Sequence, residues 1–203
     1  MKMSLNRCIV ALLLIVGMTV CGRTPASGKS LARIRAERLV SMNNLKQIGI
    51  ASYSYACDFK DSLPPDFDTL VKWCYLEDTR VYISPADPVR RPEVKGEMRA
   101  ENSSYVYVGK GLSLNVADSV KDLPLAFERA EIVSETGYCC VLYLGGRVNA
   151  VKLTAKSNRE IAEELIRMER LDRYTTEQLV DSRNLVLANA AAADAKAAKS
   201  PAR

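Results

Sequence analysis

Apolar positions between residues 31 and 59 recur at the spacing of an α-helix with one face turned inward: Leu31, Ile34, Met42, Leu45, Ile48, Tyr55 and Phe59. Ser30 is placed to cap the start, and Leu63-Pro64-Pro65 must stop the helix, since proline lacks the N–H that continues it. The inward face is expected to pack on a sheet. Residues 67–73 can form a short second helix that offers Leu70, Val71 and Trp73 for burial, with Trp73, the single tryptophan, as a core anchor. Pro85, Pro88 and Pro92 then mark an irregular connection reaching about Asn102.

Strand patterns follow at residues 104–108, 125–128, 138–144 and 147–153. The last two flank Gly145-Gly146, which reads as a two-residue hairpin turn because glycine accepts positive φ without steric cost. A meander of three or four antiparallel strands is expected. Ser157-x-x-Glu160 and Thr175-x-x-Gln178 are capping-box patterns, opening helices with Ile161, Leu165 and Met168, then Leu179, Val186 and Ala190, on one face. The pattern therefore predicts an α+β fold: a long N-terminal helix on a small antiparallel meander, with C-terminal helices. Four parts are expected: a leader and tether over 1–28, the α+β domain over 29–155, helices over 156–187, and an Ala-rich, fraying tail over 188–203.

Composition narrows the class. With 203 residues, 48% hydrophobic and 26% charged, the chain suits one core with appendages. The net charge of +5 is unevenly placed: Arg23, Lys29, Arg33, Arg35, Arg38 and Lys46 face only Glu37 and Asp58 between residues 22 and 58. No aromatic or Gly-rich nucleic-acid motif accompanies these cations, so a solvated helix face, or contact with anionic headgroups, is expected rather than nucleic acid.

Lys2 and Arg7 precede the uncharged run from Cys8 to Cys21, which is shorter than the roughly 17 to 25 residues that span a bilayer as a helix. This is the pattern of an export leader. Three fates follow from it: cleavage after Cys21 or Ala26, lipidation of Cys21, or retention as a short anchor. Val20 disfavours lipidation, which expects a small residue before the modified cysteine. Pro25, between Gly22 and Gly28, separates this run from the long helix as a tether.

Several islands then resemble one family. They are Arg33, Arg35, Ala36 and Arg38; Asn43-Asn44-Leu45-Lys46-Gln47-Ile48-Gly49 with Ala51, Tyr55 and Asp58; Tyr82-Ile83-Ser84-Pro85-Ala86-Asp87-Pro88; Ser103-Ser104-Tyr105-Val106-Tyr107-Val108-Gly109-Lys110-Gly111; and Asp122-Leu123-Pro124-Leu125-Ala126-Phe127-Glu128. In this order they resemble the bacterial prepilin-like proteins, similar to type II secretion pseudopilin G, that often end in a His-x9-Asp-Gly motif. The terminal motif departs: Glu135 stands for the first His, Gly145 for the Asp and Arg147 for the second His, and no prepilin-peptidase signature precedes the apolar run. The resemblance implies a pseudopilin-like cell-envelope protein, anchored in the inner membrane or exported. It would meet other envelope or secretion-system proteins, or copies of itself, through its helix at Leu45, Ile48 and Tyr55. The alternative is a secreted or lipid-anchored binding protein with no assembly role.

The chemistry-bearing residues agree with a non-catalytic reading. The absence of histidine removes histidine-based nucleophile activation, acid–base work and metal ligation. Asp58, Asp61, Asp66 and Asp68 leave a weaker carboxylate-hydrolase reading open, although no spacing selects a pair among them. No cofactor is expected; secretion pseudopilins carry calcium in a sheet-region loop, so calcium at that cluster or around Asp118 and Asp122 is the first metal alternative, and zinc on the four cysteines beyond the leader is weaker because no Cys-x2-Cys pair exists. Beyond the leader, Cys57 and Cys74 form the candidate disulfide of an extracytoplasmic chain. Cys139 and Cys140 alternate across a strand, so at most one is expected to face a core. Gly109-Lys110-Gly111 lacks the rest of a phosphate-binding loop and reads as a turn.

Overall fold

A computed structural model describes residues 30–90, 98–115, 120–173 and 177–199. The leader with Cys21, Asp118 and Thr175 lie outside these residues. The α+β expectation holds: a long helix, a four-stranded antiparallel sheet and C-terminal helices.

Helix α1 spans Leu31–Asp58 and buries Ser41, Leu45, Ile48, Gly49, Ala51, Ser52 and Ala56. Lys60 and Asp61 then adopt left-handed backbone, and Asp61 N–H returns to Ala56 C=O at 2.8 Å, closing the helix before the prolines. Helix α2, Phe67–Lys72, starts on Asp66, whose Oδ1 accepts from Thr69 N–H at 2.8 Å. It buries Phe67, Leu70 and Val71 at one-turn spacing. Trp73, the C-cap of this helix, is 60% exposed and forms an edge-to-face ring pair with Phe59, so it is not the expected core anchor.

The sheet runs β1 (Tyr105–Tyr107), β2 (Pro124–Glu128), β3 (Tyr138–Tyr143) and β4 (Val148–Lys152), each antiparallel to the next. A short helix, α3 (Ala130–Thr136), carries the chain from β2 to β3 and ends at Gly137, whose φ of 69° suits glycine. The β3–β4 turn is a three-residue loop, Leu144, Gly145 and Gly146, rather than the expected two-residue one. Tyr143 N–H bonds Arg147 C=O, Gly146 N–H bonds Tyr143 C=O, and Gly146 alone takes positive φ.

Both faces of the sheet are covered. Helix α1 lies on one face, where a Cβ on Gly49 would come within 3.1 Å of Leu142. Helices α4 (Asn158–Met168) and α5 (Glu177–Lys199) pack together, α4 against β2 and α5 against β1. Two covered faces make every residue of β2 buried and bury Cys139 and Cys140 alike, correcting the expectation of one.

Ser157 caps α4 as expected, and Ile161, Leu165, Leu179, Val186 and Ala190 are buried, whereas Met168 is exposed. Within the described residues the Ala-rich segment continues α5 to Lys199. Alanine's helix propensity favours this, and two side chains fasten it. Asp194 accepts from the N–H groups of Asn158 and Arg159 at the start of α4, and Asn189 Nδ2 donates to the carbonyls of Val108 and Lys110.

Candidate interaction surface on the long helix

Helix α1 presents two chemically different faces. Its inner face holds a buried polar seam inside an otherwise apolar contact. Glu128, 3% exposed at the end of β2, accepts from Ser41 Oγ at 2.6 Å and Ser84 Oγ at 2.8 Å on Oε1, and from Cys140 N–H at 2.8 Å on Oε2. Tyr105 places its hydroxyl 2.8 Å from Ser41 Oγ, and Asn44 Nδ2 donates to Ile83 C=O at 3.0 Å. Burial, reinforced by the Glu128 charge, raises the pKa of both the Tyr105 hydroxyl and the Cys140 thiol and so keeps them protonated. A buried carboxylate is tolerated when donors surround it, and here those donors come from α1, the 79–84 turn region and β3. The seam therefore fixes the rotation of α1 on the sheet.

The outer face follows from that fixed rotation. Arg35, Leu39, Lys46, Ile50 and Cys57 are all exposed. At about 100° per residue they fall within roughly 60° of one another, along about 33 Å of helix. Leu39 is 62% and Ile50 57% exposed, unusual for large apolar side chains. None of residues 32–40 is buried, and Val40, on another side of the helix, is exposed as well. Basic groups border it: Arg33 pairs with Glu37 at 2.9 Å, and the Arg38 guanidinium lies 4.1 Å above the Tyr138 ring.

The three helix positions expected to meet partners sit elsewhere. Leu45 and Ile48 are 0% exposed within the chain's own core, because the sheet already occupies that face. Tyr55 is half-buried, stacked on Phe59 at 4.2 Å and edge-on to Tyr75. Cys57 and Cys74, the candidate disulfide pair, are both exposed and stand here as free thiols.

The aspartate cluster is divided among local duties. Asp58 accepts from the Tyr75 hydroxyl at 2.5 Å, Asp66 caps α2, and Asp68 pairs with Lys72 and accepts from Met98 N–H. Among the described residues no group of three or more acidic or cysteine side chains is placed to hold a metal. Arg147 bridges Asp122 at 3.0 Å and Glu169 at 2.7 Å and stacks over Tyr143, while Glu135 is exposed on α3. Among the described residues no helix is long and apolar enough to cross a membrane.

Glu128, Ser41 and Ser84 were not legible as a site, since 43 or more residues separate Ser41 from each of its two partners. The usable signal was negative: small polar residues stood on the helix face that had to be buried. Comparison with protein-family models, with curated proteins and with solved structures gives no match for this chain.

Proposed function

We propose that this is a non-catalytic, pseudopilin-like protein of the bacterial cell envelope, working through protein contacts made by the outer face of α1. The observation that carries the reading is the exposed stripe Arg35, Leu39, Lys46, Ile50 and Cys57, held outward by the buried Glu128 seam. Supporting it are the resemblance of the helix and strand islands to prepilin-like chains, the apolar run that precedes the helix in sequence, and a histidine-free composition. Leu39 and Ile50 are suited to an apolar contact, while Arg35 and Lys46 favour an acidic partner surface or anionic headgroups beside it.

The test is the intact mass and location of the full-length chain in an expressing bacterium. Recovery in the membrane fraction at full-length mass, in complexes that dissociate when Leu39 and Ile50 are both changed to Glu, supports this function. A free, monomeric protein lacking the leader overturns it in favour of a secreted module.

A further inference from the structure

Among the described residues strand β1 pairs only with β2, at one edge of the sheet. Val108 N–H bonds Leu125 C=O and Arg129 N–H bonds Ser104 C=O, so the even-numbered residues turn their backbone groups toward β2. By the alternation of an antiparallel ladder, Tyr105 and Tyr107 turn theirs outward. A cleft of about 140 Å³ runs here, with Pro65 to Phe67 on one side and α5 on the other.

Its charge is one-sided. Arg129, Lys110 and Lys196 line it against a single carboxylate, Asp66, whose Oδ1 is already taken by Thr69 N–H and Oγ1. Arg129 is 3% exposed, yet its guanidinium is bound only to carbonyls: Nε donates to Ser103 C=O at 2.7 Å and Nη2 to Ala100 C=O. Among the described residues none of the three cations forms an ion pair. Asp87, the buried carboxylate of this region, pairs with Arg90 instead. Burial, and then the Arg90 charge, pull the Arg129 guanidinium down to about 10, so it is still charged at neutral pH. A buried cation ordinarily pairs with a counter-charge; Glu131, Asp87 and Glu101 act on this one through space, but none of them forms an ion pair with it. Aromatic surface lies alongside, since Phe67 and Tyr107 stand with ring centroids 5.2 Å apart.

We infer that this cleft binds a small organic anion, a carboxylate or phosphate group on an apolar or aromatic body, with Arg129 as the inner anchor and Lys110 and Lys196 at the mouth. An Arg–oxyanion contact supplies paired hydrogen bonds as well as charge, and the aromatic wall receives the body of the ligand. The site is separate from the outer stripe of α1 and does not rest on the assembly reading.

Titrating the full-length chain with benzoate and with phenyl phosphate tests it, using benzyl alcohol and sodium chloride at matched ionic strength as controls. Saturable heat and a rise in melting temperature with either anion are expected, and the tighter of the two identifies the group preferred. The Lys110→Ala/Lys196→Ala double variant, altered only at exposed positions, should keep its fold and bind roughly tenfold more weakly. No response beyond that of sodium chloride, an equal response to benzyl alcohol, or an unchanged affinity in the double variant would overturn the inference.

Discussion

Ser41 Oγ and Glu128 Oε1 lie 2.6 Å apart across 87 residues of chain, joining the middle of the long helix to the end of the second strand. Burial makes this contact consequential, because neither group can turn to water if its partner is removed. Ser41→Ala should lower unfolding free energy by about 1 to 3 kcal/mol, and Glu128→Gln by a similar amount. The Gln amide nitrogen cannot accept from Cys140 N–H or from the two serines. Urea unfolding reads the change directly, and an unmoved midpoint in both variants would show that the seam does not fix the helix.

The thiols should divide by exposure. Cys57 and Cys74 are exposed and free, whereas Cys139 and Cys140 are buried and their pKa is pushed upward by that burial, with the Glu128 charge adding to it, so that little thiolate forms. Brief alkylation of the native protein followed by peptide mapping should label the first pair and spare the second until denaturant is added. Rapid labelling of Cys140 would mean that α1 does not cover that face of β3, since Cys140 Sγ contacts the Arg38 carbonyl of α1.

Alkaline pH should weaken the fold through its tyrosines. Burial raises Tyr53 to about 12, and a hydrogen bond to Asp58, followed by burial, raises Tyr75 to about 12. Tyr82, Tyr105, Tyr107 and Tyr143 shift the same way. A raised folded-state value means that the native protein holds its proton while the unfolded chain has lost it. The stabilisation is thus complete below pH 10 and falls between about pH 10 and 12. Arg129 acts in the opposite direction, but it is one group against six. A melting temperature that rises from pH 10 to 12 would contradict this, and Tyr53→Phe should flatten part of the fall.

How legible each element was depended on whether its cause is local. The strands at Tyr138–Tyr143 and Val148–Lys152 and the cap at Ser157 follow from alternation, glycine and side-chain reach within a few residues. Leu45 and Ile48 lie on the inward face that the helical spacing predicts, but such a stripe shows which side is apolar and not whether the chain's own sheet or a partner covers it. The paired burial of Cys139 and Cys140 depends on distant segments, α1 among them, since Cys140 Sγ contacts the Arg38 carbonyl. Arg129 reads locally as one more surface cation. Its burial comes from the return of residues 98–104 over the end of β2.

The central claim is that the outward stripe of α1, not its apolar inner face, meets the partner. A photo-reactive residue placed at Ile50 of the full-length chain in the expressing bacterium tests this, with the same residue at exposed Glu163 on α4 as control. The account predicts a discrete cross-linked species in the envelope fraction from Ile50, absent from Glu163 and lost on Arg35→Glu/Leu39→Glu. Equal or absent cross-linking at the two positions would contradict it.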